Sequence, residues 1–388
     1  MMKSASLFLF IFYATLINAK IDWRGHNKFF GQSSFQSDER IQALSLTPAH
    51  RSNIIYSNDN SFTFEGAYQL FAPLEKEKIK LIKGSDPQGR YRWNDIDQTL
   101  LKHQEGQDSF LLKQNLDRLY FSFASDFAEL KIGRQAVNLG ASRFVSPVDV
   151  LVPYDQQEIL REDRVGVDAV KIRKSLGDIS ELEFGVLLGK KAKQDTSAFY
   201  FLARSNFYKT DFTLIGMSYL ENELLGLQFA GSLYQAGYWI EIAYNDMAKI
   251  DYTRASTGLE YQINKDFIVM AEYHYNGAGK SEESNYLAMV SSEAVSKGAV
   301  YLLAKHYMGL GLTYQLTPLH SISASNFLNL NDNSTLLNAK YSWSFKQDLS
   351  FNAGAILGLG EKTQNILEPK SEFGNYNKLF YLNIAQYF

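Results

Sequence analysis

Apolar residues at every second position dominate the chain from residue 60 to its end. Leu182, Phe184, Val186 and Leu188 oppose Glu183 and Gly185, and Phe267, Val269, Ala271, Tyr273 and Tyr275 oppose Glu272 and His274. Leu349, Phe351, Ala353, Ala355 and Leu357 oppose Ser350, Asn352 and Gly354. A period of two marks strands with two unlike faces. The first clear one is 62–70. The pattern predicts others at 116–124, 128–135, 164–174, 180–189, 197–205, 210–219, 224–234 and 237–246. Further ones follow at 252–263, 266–276, 299–314, 319–329, 334–345, 347–358 and 378–388. Most have the length of a tilted strand crossing a bilayer.

The connections carry an independent signal. Those near 125–127, 175–179, 206–209, 235–236, 264–265, 315–318 and 346 are short. The intervening ones, including 136–163, 190–196, 247–251, 277–298 and 359–377, are longer and rich in charge, Ser, Asn and Gly. Only the junctions near 220–223 and 330–333 break the alternation. Transmembrane barrels have tight turns at one end and long loops at the other, whereas a two-sheet sandwich has no reason to. The fold class predicted is all-β: a transmembrane antiparallel β-barrel of about 16–18 strands over residues 60–388. Closure is obligatory because lipid offers no partner to an unpaired backbone group. Two stretches resist this pattern. Residues 20–59 have no sustained periodicity and read as an N-terminal extension or a small hatch. Residues 73–115 leave the topology open, with a turn at 86–89 and a short candidate strand at 91–97.

Composition narrows the class. Residues 1–19 combine Lys3, an apolar run from Leu7 to Ile17 and a small-residue site at Ala19, as a secretory signal peptide does. The chain has no cysteine, which excludes disulfides, zinc thiolates and a catalytic thiol. A net charge of −3 gives no electrostatic reason to expect nucleic acid. Aromatics reach 14%, which suits a barrel with interfacial girdles; Tyr238, Trp239, Tyr341 and Trp343 include girdle candidates, with carbohydrate stacking inside the pore as the alternative for any that face inward. In the last strand Phe380, Leu382, Ile384 and Phe388 share a face. A terminal strand ending in an aromatic resembles the assembly signal of bacterial outer-membrane barrels. That resemblance implies the bacterial outer membrane, its lipid and its barrel-assembly machinery as partners.

The chemistry concentrates between Ala128 and Lys174. Here Ile132-Gly-Arg-Gln135, Asn138-Leu-Gly140, Pro147-Val148-Asp149, Pro153, Ile159-Leu-Arg-Glu-Asp-Arg164 and Gly166-Val-Asp168 follow one another. This run resembles a family of bacterial outer-membrane porins that includes the alginate-export type, with Leu139 where the family often has Trp. The resemblance implies a pore whose constriction is lined by charged residues, often arginines. That would place Arg134, Arg161 and Arg164 there, with Glu162, Asp163 and Asp168 beside them. Arg134 shares a face with Leu130 and Ile132 and reaches the lumen only if its strand bulges or ends. Two readings of the cluster stand: loop 136–163 narrows the lumen and the charges select ions, or the charges pair and only hold the loop. The inward-phase acids Glu183, Glu241, Glu260 and Glu272 are balanced by Lys131, Arg173, Arg254 and Lys340, so anion against cation stays open.

The function expected is passive diffusion of small hydrophilic solutes. The alternative is selective export of an anionic polysaccharide, favoured if acids are paired off and arginines left free. An outer-membrane enzyme is third: His320 lies near Ser321 and Ser323, but alternation points both serines to the opposite face. No catalytic, metal or cofactor site is expected.

Overall fold

The structure is a computed structural model that describes residues 19–35, 41–58, 61–76, 89–105, 108–152, 164–362 and 369–388. Its strands begin with β1 (Ala19–Phe35), β2 (Ile41–Asn58), β3 (Phe62–Phe71), β4 (Leu74–Lys76), β5 (Thr99–Glu105) and β6 (Asp108–Ala124). They continue with β7 (Glu129–Gln135), β8 (Val167–Ser175), β9 (Ser180–Leu187), β10 (Ala198–Phe207), β11 (Thr210–Tyr219), β12 (Asn222–Leu233) and β13 (Ala236–Asp246). The last are β14 (Tyr252–Asn264), β15 (Phe267–Asn276), β16 (His306–Thr317), β17 (His320–Asn329), β18 (Thr335–Ser344), β19 (Leu349–Leu359) and β20 (Lys378–Tyr387).

These strands form one antiparallel sheet, and β20 returns to pair with β1, Phe29 opposite Ile384, so the sheet closes. Of the 20 strands, β4 prolongs β3 beyond Pro73 and β5 pairs with β6 alone, past the end of β7. The closed wall therefore has 18 strands with one extra strand at its rim. An even number puts the start of β1 and the end of β20 at the short-turn end, where Gly25 and Phe388 exchange backbone hydrogen bonds. Outward positions are apolar, as Trp23, Leu225, Leu259 and Leu382 illustrate by their exposure. Inward positions of β12–β16 are polar, small or buried under other chain.

Two expectations change. Residues 20–59 are no extension or hatch: 19–35 and 41–58 are the first two wall strands, running in register from Ala19↔Asn58 to Phe35↔Ile41. Their period was obscured by Pro48 inside β2, a residue that ordinarily argues against a strand, and by Phe30, an inward aromatic buried against Tyr381. Residues 91–97 are not a strand but an irregular segment that packs against the rim beside β7 and β8. Of residues 1–19, read above as a signal peptide, 1–18 lie outside the described residues and Ala19 opens β1.

Candidate pore constriction

Between β7 and β8, the described residues 136–152 do not stay at the rim. Val137, Leu139, Val148, Val150, Leu151 and Val152 are all buried, in a cluster with the inward residues Ile215, Leu224 and Ala243 of β11, β12 and β13. Each fully buried Val or Leu contributes about 1.5–3 kcal/mol, so this apolar run folds onto the barrel's inner wall rather than into water. Two wall glycines make room. A Cβ on Gly226 would lie 2.6 Å from Val148 Cγ1, and one on Gly309 would lie 2.5 Å from the Phe144 ring.

Polar contacts fix the loop's register. Glu241, fully buried on β13, accepts from Ser142 N at 2.8 Å, from Ser146 Oγ at 2.7 Å and from Ala141 N. Glu272 on β15 accepts from Arg143 N at 2.7 Å, Val145 N at 2.9 Å and Phe144 N at 3.2 Å, and from the Trp239 indole N–H at 2.8 Å. Five successive backbone N–H groups, from 141 to 145, thus converge on two carboxylates, an arrangement in which the charge strengthens each hydrogen bond. The loop's carbonyls are held in turn. Gln228 Nε2 donates to Leu139 O, Ser256 Oγ to Val145 O at 2.6 Å and Arg254 to Pro147 O at 3.4 Å. His274 Nδ1 shares a 2.7 Å hydrogen bond with Ser256 Oγ.

The loop's two stems are built differently, from side-chain ion pairs. Gly133 lies within β7, and its φ of +120° would strain any residue with a Cβ. Arg134 follows but carries no charge into open lumen. It is only 5% exposed, and all five of its N–H donors are used. Nε and one Nη bind Asp168 at 2.7 and 3.1 Å, and the other Nη binds Asp95 at 2.7 Å. Leu116 O and Asn94 O, each at 3.0 Å, take the remaining two. Burial alone would raise the Asp95 carboxyl, but hydrogen bonds from Arg92 and Arg134 hold it below its ordinary value. On the returning stem Arg164 pairs with Asp149, and its carbonyl accepts from Arg118. Burial pushes the Asp149 carboxyl up, against the pull of Arg164 and Arg254. Asp117 joins Arg51, Arg118 and the Gly166 N–H. Arg134, Asp168 and Arg164 are therefore placed as braces of the loop, while Arg161, Glu162 and Asp163 lie outside the described residues.

In the sequence, Glu241 and Glu272 count only as wall charges, and Trp239 is a candidate for a membrane girdle or for stacking inside the pore. Trp239 faces inward. Its indole lies across Gly258, where a Cβ would meet it at 2.2 Å, and Arg143 lies over its other side, 5.2 Å from the ring centroid. A glycine directly opposite a strand tryptophan was the available signal for this flat ring. Trp343 and Tyr341 do face outward, and His320 stacks on Trp343 and bonds the Tyr341 hydroxyl, away from any serine nucleophile.

No protein-family model matches the chain, and no curated protein sequence matches it. Solved structures do. The barrel is similar to Pseudomonas aeruginosa OccK7 (OpdD), with a TM-score of 0.55 and 11% identity, over 96% of this chain and 99% of that one. It is similar to Pseudomonas aeruginosa OccK2 (OpdF), solved in complex with glucuronate, with a TM-score of 0.54 and 10% identity over 95% and 98% of the two chains. Acinetobacter baumannii OccAB1 gives a TM-score of 0.54 and 10% identity over 96% and 97%. At these identities the likeness is one of fold, and the fold shared is that of outer-membrane porins.

Proposed function

We propose that this chain is a channel of the bacterial outer membrane through which small hydrophilic solutes diffuse passively, with the loop between β7 and β8 setting the constriction. The observation that carries this reading is the loop itself, folded inside the barrel and latched there by Glu241 and Glu272. An 18-stranded wall encloses an aqueous lumen rather than a packed core, so a segment held inside it narrows a path that would otherwise be open. The apolar outer face and the porin fold place that path across a lipid bilayer. β20, which closes the ring and carries the terminal Phe388, is the strand the assembly machinery would handle.

The finer, alginate-export-like reading requires arginines free for a polyanion. Arg51, Arg118, Arg134 and Arg164 are instead each bound to a carboxylate, which favours small solutes over a polymer. A barrel enzyme has less support, with His320 committed to the outer aromatic belt. The experiment is single-channel recording of the refolded protein in a planar bilayer, with uptake of small sugars into liposomes. Steady open steps and size-limited uptake are expected. A folded barrel with neither would overturn the channel reading.

A further inference from the structure

Three hairpin turns of the wall hold a bulky residue in left-handed backbone. Tight hairpins favour Asn, Asp or Gly there, because a Cβ crowds the following carbonyl. At the loop end of the barrel, Leu220 (φ +49°) turns β11 into β12. Its side chain packs against the buried cluster that includes Tyr219, Tyr252 and Val300, and that burial offsets the strain. At the short-turn end, Tyr208 (φ +47°) turns β10 into β11 and Tyr234 (φ +55°) turns β12 into β13. These two are 87% and 98% exposed, so burial within the chain offsets neither. Their surroundings on the rim are apolar. Phe127, between β6 and β7, and Ile179, between β8 and β9, are exposed on the two preceding tips. Phe207 and Leu233 are exposed on the outer face of the strand ends, and the Tyr208 ring stands edge-on to Phe207 at 4.4 Å. Lys174 lays its ammonium over the Phe127 ring at 3.8 Å. The apolar outer wall therefore runs onto four successive hairpin tips. Among the other described tips, Lys265-Asp266 and Lys346-Gln347-Asp348 are charged, and Leu319 stands alone between them.

Resting on the membrane-spanning reading above, we propose that the rim from the β6–β7 turn to the β12–β13 turn is a lipid-docking surface. Its tips enter the headgroup zone of the adjoining leaflet, while the charged tips at 265–266 and 346–348 stay in water, so the barrel sits tilted toward the β6–β13 side. The occupant is lipid because the same apolar surface already faces the bilayer on the wall above. A left-handed tyrosine at a hairpin apex keeps its conformational cost because the bilayer, not the chain, buries it. Tyrosine suits that depth, with an apolar ring and a hydroxyl for water or phosphate. Lys174 keeps its ammonium at the phosphates while its stem lies on Phe127. Interfacial anchors of this kind set how a spanning structure leans in the bilayer.

The chain has no cysteine, so a nitroxide label can be placed at single sites. Labels go beside the tyrosines, at Lys209→Cys and Gln235→Cys, and on the charged tips, at Asp266→Cys and Gln347→Cys. One more, at Leu259→Cys, marks the lipid-facing wall. Each barrel is refolded into phosphatidylcholine vesicles, and label collisions with oxygen, which concentrates in lipid, are compared with those of a water-soluble nickel chelate. The oxygen-to-nickel ratio should be several-fold higher at 209 and 235 than at 266 and 347, and highest at 259. In the double variant Tyr208→Asn, Tyr234→Asn, the label at 209 should move toward water while melting is unchanged or higher, because Asn tolerates the left-handed turn. Leu220→Asn, in the same backbone conformation, should melt lower because it loses internal packing. Equal ratios at all four tips would overturn the docking surface. A label at 209 that stays in lipid in the double Asn variant would overturn the role of the tyrosines. Labels at 209 and 235 that face water in vesicles but are shielded in native outer-membrane fragments would overturn lipid as the occupant in favour of a periplasmic protein. A water-exposed label at 259 would contradict the membrane-spanning reading itself.

Discussion

The constriction loop is held at its stems and at its tip by opposite uses of the same chemistry. At the stems, carboxylates meet arginine side chains: Asp168 and Asp95 on Arg134, Asp117 on Arg51 and Arg118, Asp149 on Arg164. At the tip, wall carboxylates meet mostly backbone: Glu241 and Glu272 collect the N–H groups of residues 141–145, and the Ser146 hydroxyl joins them on Glu241. The difference separates two functions. The stems hold the loop's ends on the barrel wall, while the tip latch fixes the backbone and leaves the Arg143 side chain half exposed over the Trp239 ring.

The largest expected effect comes from breaking the latch. In the double variant Glu241→Ala, Glu272→Ala, the buried N–H donors lose their acceptors at about 1–3 kcal/mol each. Residues 139–148 should then lose hydrogen-exchange protection while the barrel strands keep theirs. Protection that persisted would mean that the apolar cluster alone holds the loop. Next comes the stem. Arg134→Ala leaves Asp168 without its cation and Asp95 with Arg92 alone; a fully buried pair broken this way costs about 3–5 kcal/mol, and these partly exposed carboxylates should cost less. Thermal melting should fall accordingly, with the protection of residues 141–145 largely retained.

pH sharpens the same contrast. Asp95, held below its ordinary value, contributes stability that is present above its unfolded value and lost as pH falls through the lower folded one. The stem should therefore loosen only in acid. At the barrel mouth Glu372 behaves oppositely. It accepts from Leu303 N, Tyr307 Oη and Asn329, while its own N–H donates to Asp332. Burial pushes its carboxyl up to about 7, with the Asp332 carboxylate adding to the rise. The stability it gives is fully present below its ordinary value and is lost as pH rises through about 7. Exchange in residues 369–377 should therefore quicken as pH rises from about 4.5 to about 7, by on the order of 3 kcal/mol in local opening energy, and little beyond that. Glu372→Gln should abolish that dependence, and a dependence unchanged in this variant would assign it to another group. The smallest effect is steric. Gly309→Ala would crowd Phe144 and should cost about 1–3 kcal/mol, with melting as the readout.

What could be read from the sequence follows the same division. Strand alternation is a pattern of residue types, so the regular strands from β6 onward and the alternation of turns and loops stood out. β1 and β2 did not, because Pro48 and the inward Phe30 interrupt their period. Side-chain ion pairs also leave a trace in the sequence, and the arginines and acids flanking the loop drew notice for that reason. A carboxylate that binds backbone N–H groups leaves none in the loop it binds. Glu241 and Glu272 therefore read only as wall charges, and no pattern in the loop sequence marks Arg143. Trp239 shares the inward phase of Glu241 on β13, so alternation, rather than aromatic content, is what points it into the barrel.

The most direct test of the latched constriction is the single-channel conductance of the Glu241→Ala, Glu272→Ala barrel beside that of wild type, with loop release checked by hydrogen exchange. If the loop between β7 and β8 narrows the lumen, releasing it should raise conductance several-fold. Equal conductance from a barrel whose loop is shown to be released would place the narrowest point elsewhere and contradict the account.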